Sequence, residues 1–150
     1  MYRLRLFGGV ALESPAGQVA GRAVQPRRLA LLALLGANRS QGWTREKLIS
    51  LLWPETDPVD ARQNLSQSLY LLRRALGEDA LTSQGDLVSL NPVIVTSDVC
   101  DFVSALEAGD ASTASTFYTG PFLDGFYIKG ASEFEDWVET ERRQLADAYA

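Results

Sequence analysis

Along residues 2–7, YRLRLF, apolar and polar positions alternate, with Tyr2, Leu4 and Leu6 on one face and Arg3 and Arg5 on the other. With GGVAL following a turn at Gly8-Gly9, this pattern predicts a small antiparallel sheet. The period then changes. Pro26 suits a first helical turn, where its missing N–H costs nothing, and RRLALLALLGAN continues apolar on nearly every side, which predicts a buried helix. In GWTREKLISLLWPE, Thr44 is an N-cap, Leu48, Leu51 and Leu52 form one stripe, and Pro54 stops a second, amphipathic helix. A third helix is signalled at both ends, by Asp57 as N-cap with Pro58 and Asp60 in the first turn, and by Gly77 at the close. ALTS and LVSL, on either side of Gln84-Gly85-Asp86, then predict a β-hairpin.

Beyond Ser97 the period is helical again, through DVCDFVSALEAG, a short ASTASTFY, the aromatic and Gly-rich GPFLDGFYIKG, and SEFEDWVETERRQLADAYA. Ser132 is the expected N-cap of the last helix, and Phe134, Trp137, Val138, Leu145 and Tyr149 share one of its faces. Glu141 projects onto that face and is expected to be a paired, partly buried carboxylate. No Gly or Pro ends this helix, so the chain reads as a fragment of something longer.

The third helix raises the question of function. At about 100° per residue, Leu65, Leu69, Leu72 and Leu76 fall in one narrow stripe, the side that faces a core. Opposite stand Gln63, Gln67, Tyr70 and Arg74, flanked by Ser66, Arg62 and Arg73. A merely solvated face on an acidic protein carries Glu beside Lys, whereas Gln, Asn, Ser and Arg are what base edges and phosphates require. Such a helix, after a shorter helix and a tight turn and before a hairpin, has the layout of a winged helix-turn-helix.

Charge supports that reading only once the chain is divided. The net charge of −5 is wrong for a nucleic-acid binder. Residues 1–97, however, hold 11 Lys+Arg against 8 Asp+Glu, a net +3, while residues 98–150 hold 3 against 11, a net −8. Opposite halves suggest different partners. The sequence has no histidine, which removes Ser-His-Asp, Cys-His and His-containing zinc chemistry together. Neither GxxxxGK[ST] nor GxGxxG occurs. The one cysteine, Cys100, rules out an intrachain disulfide, and the longest apolar run, LALLALLG, is far short of the roughly 20 residues of a membrane span. A cytoplasmic protein without metal or cofactor is the expectation.

RRLALLALLGANRSQGWTREKLISLLWPE followed by DARQNLSQSLYLLRRALGED resembles the OmpR-type winged helix of SARP-like bacterial regulators. FYTGPFLDGF and EFEDWVETERRQL are similar to the start of the bacterial transcriptional activator domain, the TPR-like helical domain that follows the winged helix in that family. The resemblance implies an α+β fold, with a winged helix DNA-binding domain over residues 1–97 and the N-terminal part of the helical domain over residues 98–150. It implies that the helix of Pro58 to Leu76 enters the major groove of double-stranded DNA, with Gln63, Ser66, Gln67 and Tyr70 nearest the bases. Arg62, Arg73, Arg74 and Arg45 would lie toward phosphates; Gln pairs bidentately with adenine, which gives the glutamines a physical role. The wing departs from the family pattern: Gln84-Gly85-Asp86 and then Val88 stand where an Arg-Gly turn and a Tyr are common. An aspartate there repels phosphate, so the expected contact is a grazing one through Ser83 or Gln84. The second domain's implied roles are to hold regulators together, as a homodimer on DNA, to receive a signal, and to help recruit RNA polymerase. The turn PETDP, with Glu55, Thr56 and Asp57, is the candidate polymerase contact, against the plainer reading of a capped turn.

Two other classes stay open on sequence. One is a protein-interaction or dimerisation module without specific DNA binding, favoured by the weak wing and low positive charge. The other is an enzyme using carboxylates, such as Glu135 with Glu139 or Asp124, but these lie at helical spacings on a solvated face. Cys100 sits among acids rather than cations, so packing rather than nucleophilic use is expected of it.

Overall fold

The computed structural model describes residues 1–21, 24–38 and 42–150. In chain order the elements are β1 (Tyr2–Arg5), β2 (Ala11–Ser14), β3 (Gly17–Gln18), α1 (Pro26–Ala37), β4 (Trp43–Thr44), α2 (Arg45–Leu52), α3 (Pro58–Leu76), β5 (Leu81–Gln84), β6 (Leu87–Leu90), β7 (Val95–Ser97), α4 (Asp98–Glu107), α5 (Ala111–Phe117) and α6 (Ser132–Tyr149). The fold is α+β, a winged helix followed by a helical segment.

Alternation in β1 buries Leu4 and leaves Arg5 exposed, and β1 pairs antiparallel with β2 as its pattern predicts. The sheet is nevertheless mixed. Its order is β3-β2-β1-β7, and β7 runs parallel to β1, with Tyr2 opposite Val95 and Leu4 opposite Ser97. A parallel partner needs a long crossover, here supplied by the three helices and the hairpin between the two strands. The second sheet, β4-β6-β5, adds Trp43-Thr44 to the hairpin as a third strand.

Seven consecutive residues of α1, Ala30 to Gly36, are buried, as an all-round apolar helix requires. Gly36 permits a close approach: a Cβ there would lie 2.8 Å from Leu4 Cδ1, so any side chain would force the Leu4 methyl out of its packed position. One apolar core runs across residue 97, joining Leu4, Leu31 and Leu69 to Phe102, Phe122 and Phe134. Phe7 meets Phe102 edge to face at 5.3 Å, and Trp43 meets Trp137 at 5.9 Å. Asp98, at the start of α4, is buried and accepts from the backbone N–H of Leu6 at 2.9 Å and of Phe7 at 3.1 Å. Burial pushes its carboxyl above the usual range, against the opposing pull of those N–H donors and of Arg3. The glycine-rich loop completes the seam: Leu123 N–H donates to Leu6 O at 2.8 Å and Gly8 N–H to Pro121 O at 2.8 Å. Gly8 and Gly9, at φ 80° and 150°, therefore serve a turn against this loop.

Two local expectations are corrected. Ser132 is already the first helical residue of α6; Ala131 holds the cap position and no side chain caps the turn. Ala131 is buried, and Glu135 Oε1 instead reaches back to the Ile128 N–H at 2.8 Å, which anchors the helix entry. Glu141 is half-buried and its carboxyl is raised by that burial, but no ion pair joins it among the described residues.

Candidate nucleic-acid interface

Helix α3 is held by its predicted caps. Asp57 accepts from the Val59 N–H at 3.2 Å, and Gly77, at φ 112°, returns its own N–H to Arg73 O at 2.8 Å. Its inward stripe, Leu65, Leu69, Leu72 and Leu76, is buried; at roughly 2 kcal/mol per leucine, this anchors the helix far more strongly than its caps do. Gln63, Ser66, Gln67, Tyr70, Arg62 and Arg74 are all exposed on the other side, as the periodicity requires. Tyr70 keeps 54% of its surface in solvent, a large ring held outside the core. Arg74 lies over that ring at 5.8 Å and donates from Nη1 to Tyr70 Oη at 3.1 Å. That bond holds its guanidinium above even the usual arginine range. Asp60, in the first turn, is the one carboxylate on the helix.

Beside this face stand α2 and the wing. Thr44 caps α2 by accepting from the Lys47 N–H at 3.2 Å, which sets Arg45 in the first turn. The wing hairpin closes through a two-residue turn, Gly85-Asp86, with Gln84 opposite Leu87 and Gly85 at φ 62°. Arg45 donates its backbone N–H to Asp86 O at 3.1 Å and its Nη2 to Ser83 Oγ at 3.3 Å. Arg73, from the last turn of α3, also reaches Ser83 Oγ, at 3.1 Å. Val88 points inward and is buried, so the position that departs from the family pattern serves the core, while Gln84 is exposed at the tip.

The other candidates spread around the helix. Arg62 lines a notch of about 330 Å³ with Glu46, Thr56 and Glu133, so acids share its surroundings. Glu55 and Asp57 are exposed on the turn between α2 and α3, and the Thr56 N–H donates to Trp53 O at 3.3 Å. Gln67 borders a polar hollow of about 310 Å³ with Gln25, Arg28 and Asn64, residues the sequence reading missed. Pro26 marked the start of α1, but nothing in the period told that this start would lie beside α3. Val59, 55% exposed next to Gln63, was missed as well. Two of the three carboxylates weighed for catalysis have structural duties: Glu135 holds the Ile128 N–H, and Glu139 pairs with Arg142 at 2.9 Å. Cys100 is half-buried and donates from Sγ to Gly36 O at 3.0 Å. Among the described residues, no cluster of His, Cys, Asp or Glu is suited to hold a metal, and no helix is long and apolar enough to cross a membrane.

A short helix and turn leading to a long, polar-faced helix closed by a hairpin define a winged helix-turn-helix. The solved structure of Mycobacterium tuberculosis EmbR, in complex with a low affinity phosphopeptide, has this fold: the TM-score is 0.72 at 22% identity, over 99% of this chain and 43% of that one. In sequence, the chain is 33% identical over 115 residues to an uncharacterised 47.3 kDa protein of Rhodococcus erythropolis, covering 76% of this chain and 25% of that protein. It is 30% identical over 101 residues to the transcriptional regulatory protein MoaR1 of Mycobacterium bovis and Mycobacterium tuberculosis, covering 63% of this chain and 32% of MoaR1. The chain thus spans about a quarter to a third of the curated relatives it matches. No family model matches it.

Proposed function

We propose that this chain is part of a SARP-like transcriptional regulator that binds double-stranded DNA in a sequence-specific manner. Residues 1–97 form the OmpR-type winged-helix domain and residues 98–150 begin a TPR-like bacterial transcriptional activator domain. Helix α3 lies in the major groove, where Gln63, Ser66, Gln67 and Tyr70 read base edges. Arg45, Arg62, Arg73, Arg74, Ser83 and Gln84 face phosphates. The protein acts in the cytoplasm, without catalysis, as an activator. It meets RNA polymerase through Glu55, Thr56 and Asp57, and stands on DNA as a homodimer.

The observation that carries the reading is the outer face of α3, exposed over its whole length, built of amide, hydroxyl and guanidinium groups, and flanked by a wing on which two arginines converge. The similarity to MoaR1, a transcriptional regulatory protein by name, points the same way. The test is a selection of operators from random duplexes followed by Gln67→Ala. Its loss on the operator is expected to be about 1–3 kcal/mol, with little change on scrambled DNA. If Gln67→Ala, Gln63→Ala and Tyr70→Ala all leave the preference for operator untouched, the polar face is not the reading head.

Asp86 at the wing tip and the net charge of −5 favour a second reading, a protein-interaction or dimerisation module without specific DNA binding. Salt-dependent duplex affinity, required by the first reading and foreign to the second, separates them.

A further inference from the structure

Arg45 and Arg73 belong to different helices, yet both guanidiniums reach one oxygen. Arg45 Nη2 donates to Ser83 Oγ at 3.3 Å, and Arg73 Nη2 donates to the same atom at 3.1 Å and to Leu81 O at 3.4 Å. Two cations gathered on a single hydroxyl repel each other, and among the described residues neither is ion-paired with a carboxylate. Asp86, beside them in the wing, offers Arg45 its backbone carbonyl rather than an ion pair. A serine oxygen has two lone pairs. With both occupied, the Ser83 proton is directed away from the guanidiniums, ready to donate outward. The hydrogen bonds within the protein use only Nη2 of each guanidinium, which leaves further N–H donors on both.

We propose that Arg45, Arg73 and Ser83 form one seat for a single phosphodiester of duplex DNA. Two unneutralised positive charges and an outward hydroxyl, held together by three elements, suit a tetrahedral anion that accepts several hydrogen bonds. The wing then clamps the backbone instead of entering a groove. The seat rests on the DNA-binding reading and sharpens it: two phosphate contacts that are separate in the sequence become one.

Counterion release distinguishes one shared phosphate from two. The intact 150-residue chain, Arg45→Ala, Arg73→Ala and the double variant are titrated with salt on a fluorescent duplex. Each single variant is expected to bind about tenfold more weakly, because the remaining guanidinium holds the phosphate with fewer donors. The double variant should flatten the slope of log K against log[salt] by about 1, the loss of one neutralised phosphate. Ser83→Asp, which sets a carboxylate between the guanidiniums, should match the double variant, while Ser83→Ala should weaken binding only a few-fold. Thermal midpoints confirm that every variant is folded. A slope loss of about 2 in the double variant, with single effects that multiply, would overturn the shared seat and leave the DNA-binding reading standing. Inorganic phosphate displacing the duplex far better than chloride at matched ionic strength would assign the seat to a free ion. A wild-type chain without salt-dependent duplex affinity would overturn both the seat and the reading beneath it.

Discussion

Helices α3 and α6 are alike in length, 19 and 18 residues, and each buries one apolar stripe. Their outer faces are chemical opposites. Helix α3 shows glutamine, serine, tyrosine and arginine, with Asp60 as its one acid, whereas α6 exposes Glu133, Asp136, Glu139 and Asp147. Packing constrains the inward stripes of both helices in the same way, so those stripes say nothing about partners. The outer faces are free of packing, and their composition records what each side of the molecule meets. On the DNA-binding reading proposed above, a phosphate backbone drawn to α3 would be repelled by α6, which would orient the chain on a duplex before any base is touched.

The strongest challenge to this contrast is whether the two sides can be parted. Phe102 of α4 is wholly buried against Phe7 and Tyr118. Phe102→Ala is expected to cost about 3–5 kcal/mol. Because one core crosses residue 97, the amides of β6 and α4 should lose hydrogen-exchange protection together. Protection retained in β6 while α4 opens would divide the chain into two cooperative units.

A smaller effect tests the repulsion itself. Asp136 and Asp147 are exposed on α6, and Asp136→Lys with Asp147→Lys should raise nonspecific duplex affinity a few-fold at low salt. The gain should vanish toward 1 M salt, where the Debye length falls to about 3 Å. Unchanged low-salt affinity would mean that the α6 face lies beyond the reach of the bound duplex.

The smallest effect sharpens the contrast from within. The outer face of α3 is hydrated, whereas α6 draws one carboxylate, Glu141, half out of water, and burial raises its carboxyl above the usual range. A raised folded-state value favours the protonated acid, so its contribution to stability is full below the ordinary glutamate range and is lost as pH rises through the folded value. Glu141→Gln should therefore stabilise the fold slightly near neutral pH and change nothing in acid. Equal thermal midpoints at both pH values would refute the desolvation.

How far the sequence carried these conclusions depended on whether a feature repeats. Helix α3 was legible from Asp57 to Gly77, since its caps and its leucine period point to the same boundaries, and so was the exposure of Gln63, Gln67 and Tyr70. The strand Trp43–Thr44 has two residues and no period to show, and β7 announced nothing of its parallel partner. Ser132 failed as a cap because its neighbour Ala131 is drawn into the core, a tertiary demand no local pattern carries. The convergence on Ser83 joins Arg45, 38 positions away, to Arg73, 10 positions away, and only folding brings them together.

The passage from β7 to α4 has a mechanical consequence. Strand β7 ends at Ser97 and α4 begins at Asp98, with no residue between them. Ser97 ties α1 to this joint by donating to Gly36 O at 2.9 Å while capping α4 through the Cys100 N–H, and Asp98 ties in the end of β1. Such a joint has no slack. A torque applied to α4 cannot be absorbed as the swing of a tether; it bears at once on α1 and β1, like force at the short arm of a lever whose long arm is the helix–wing face.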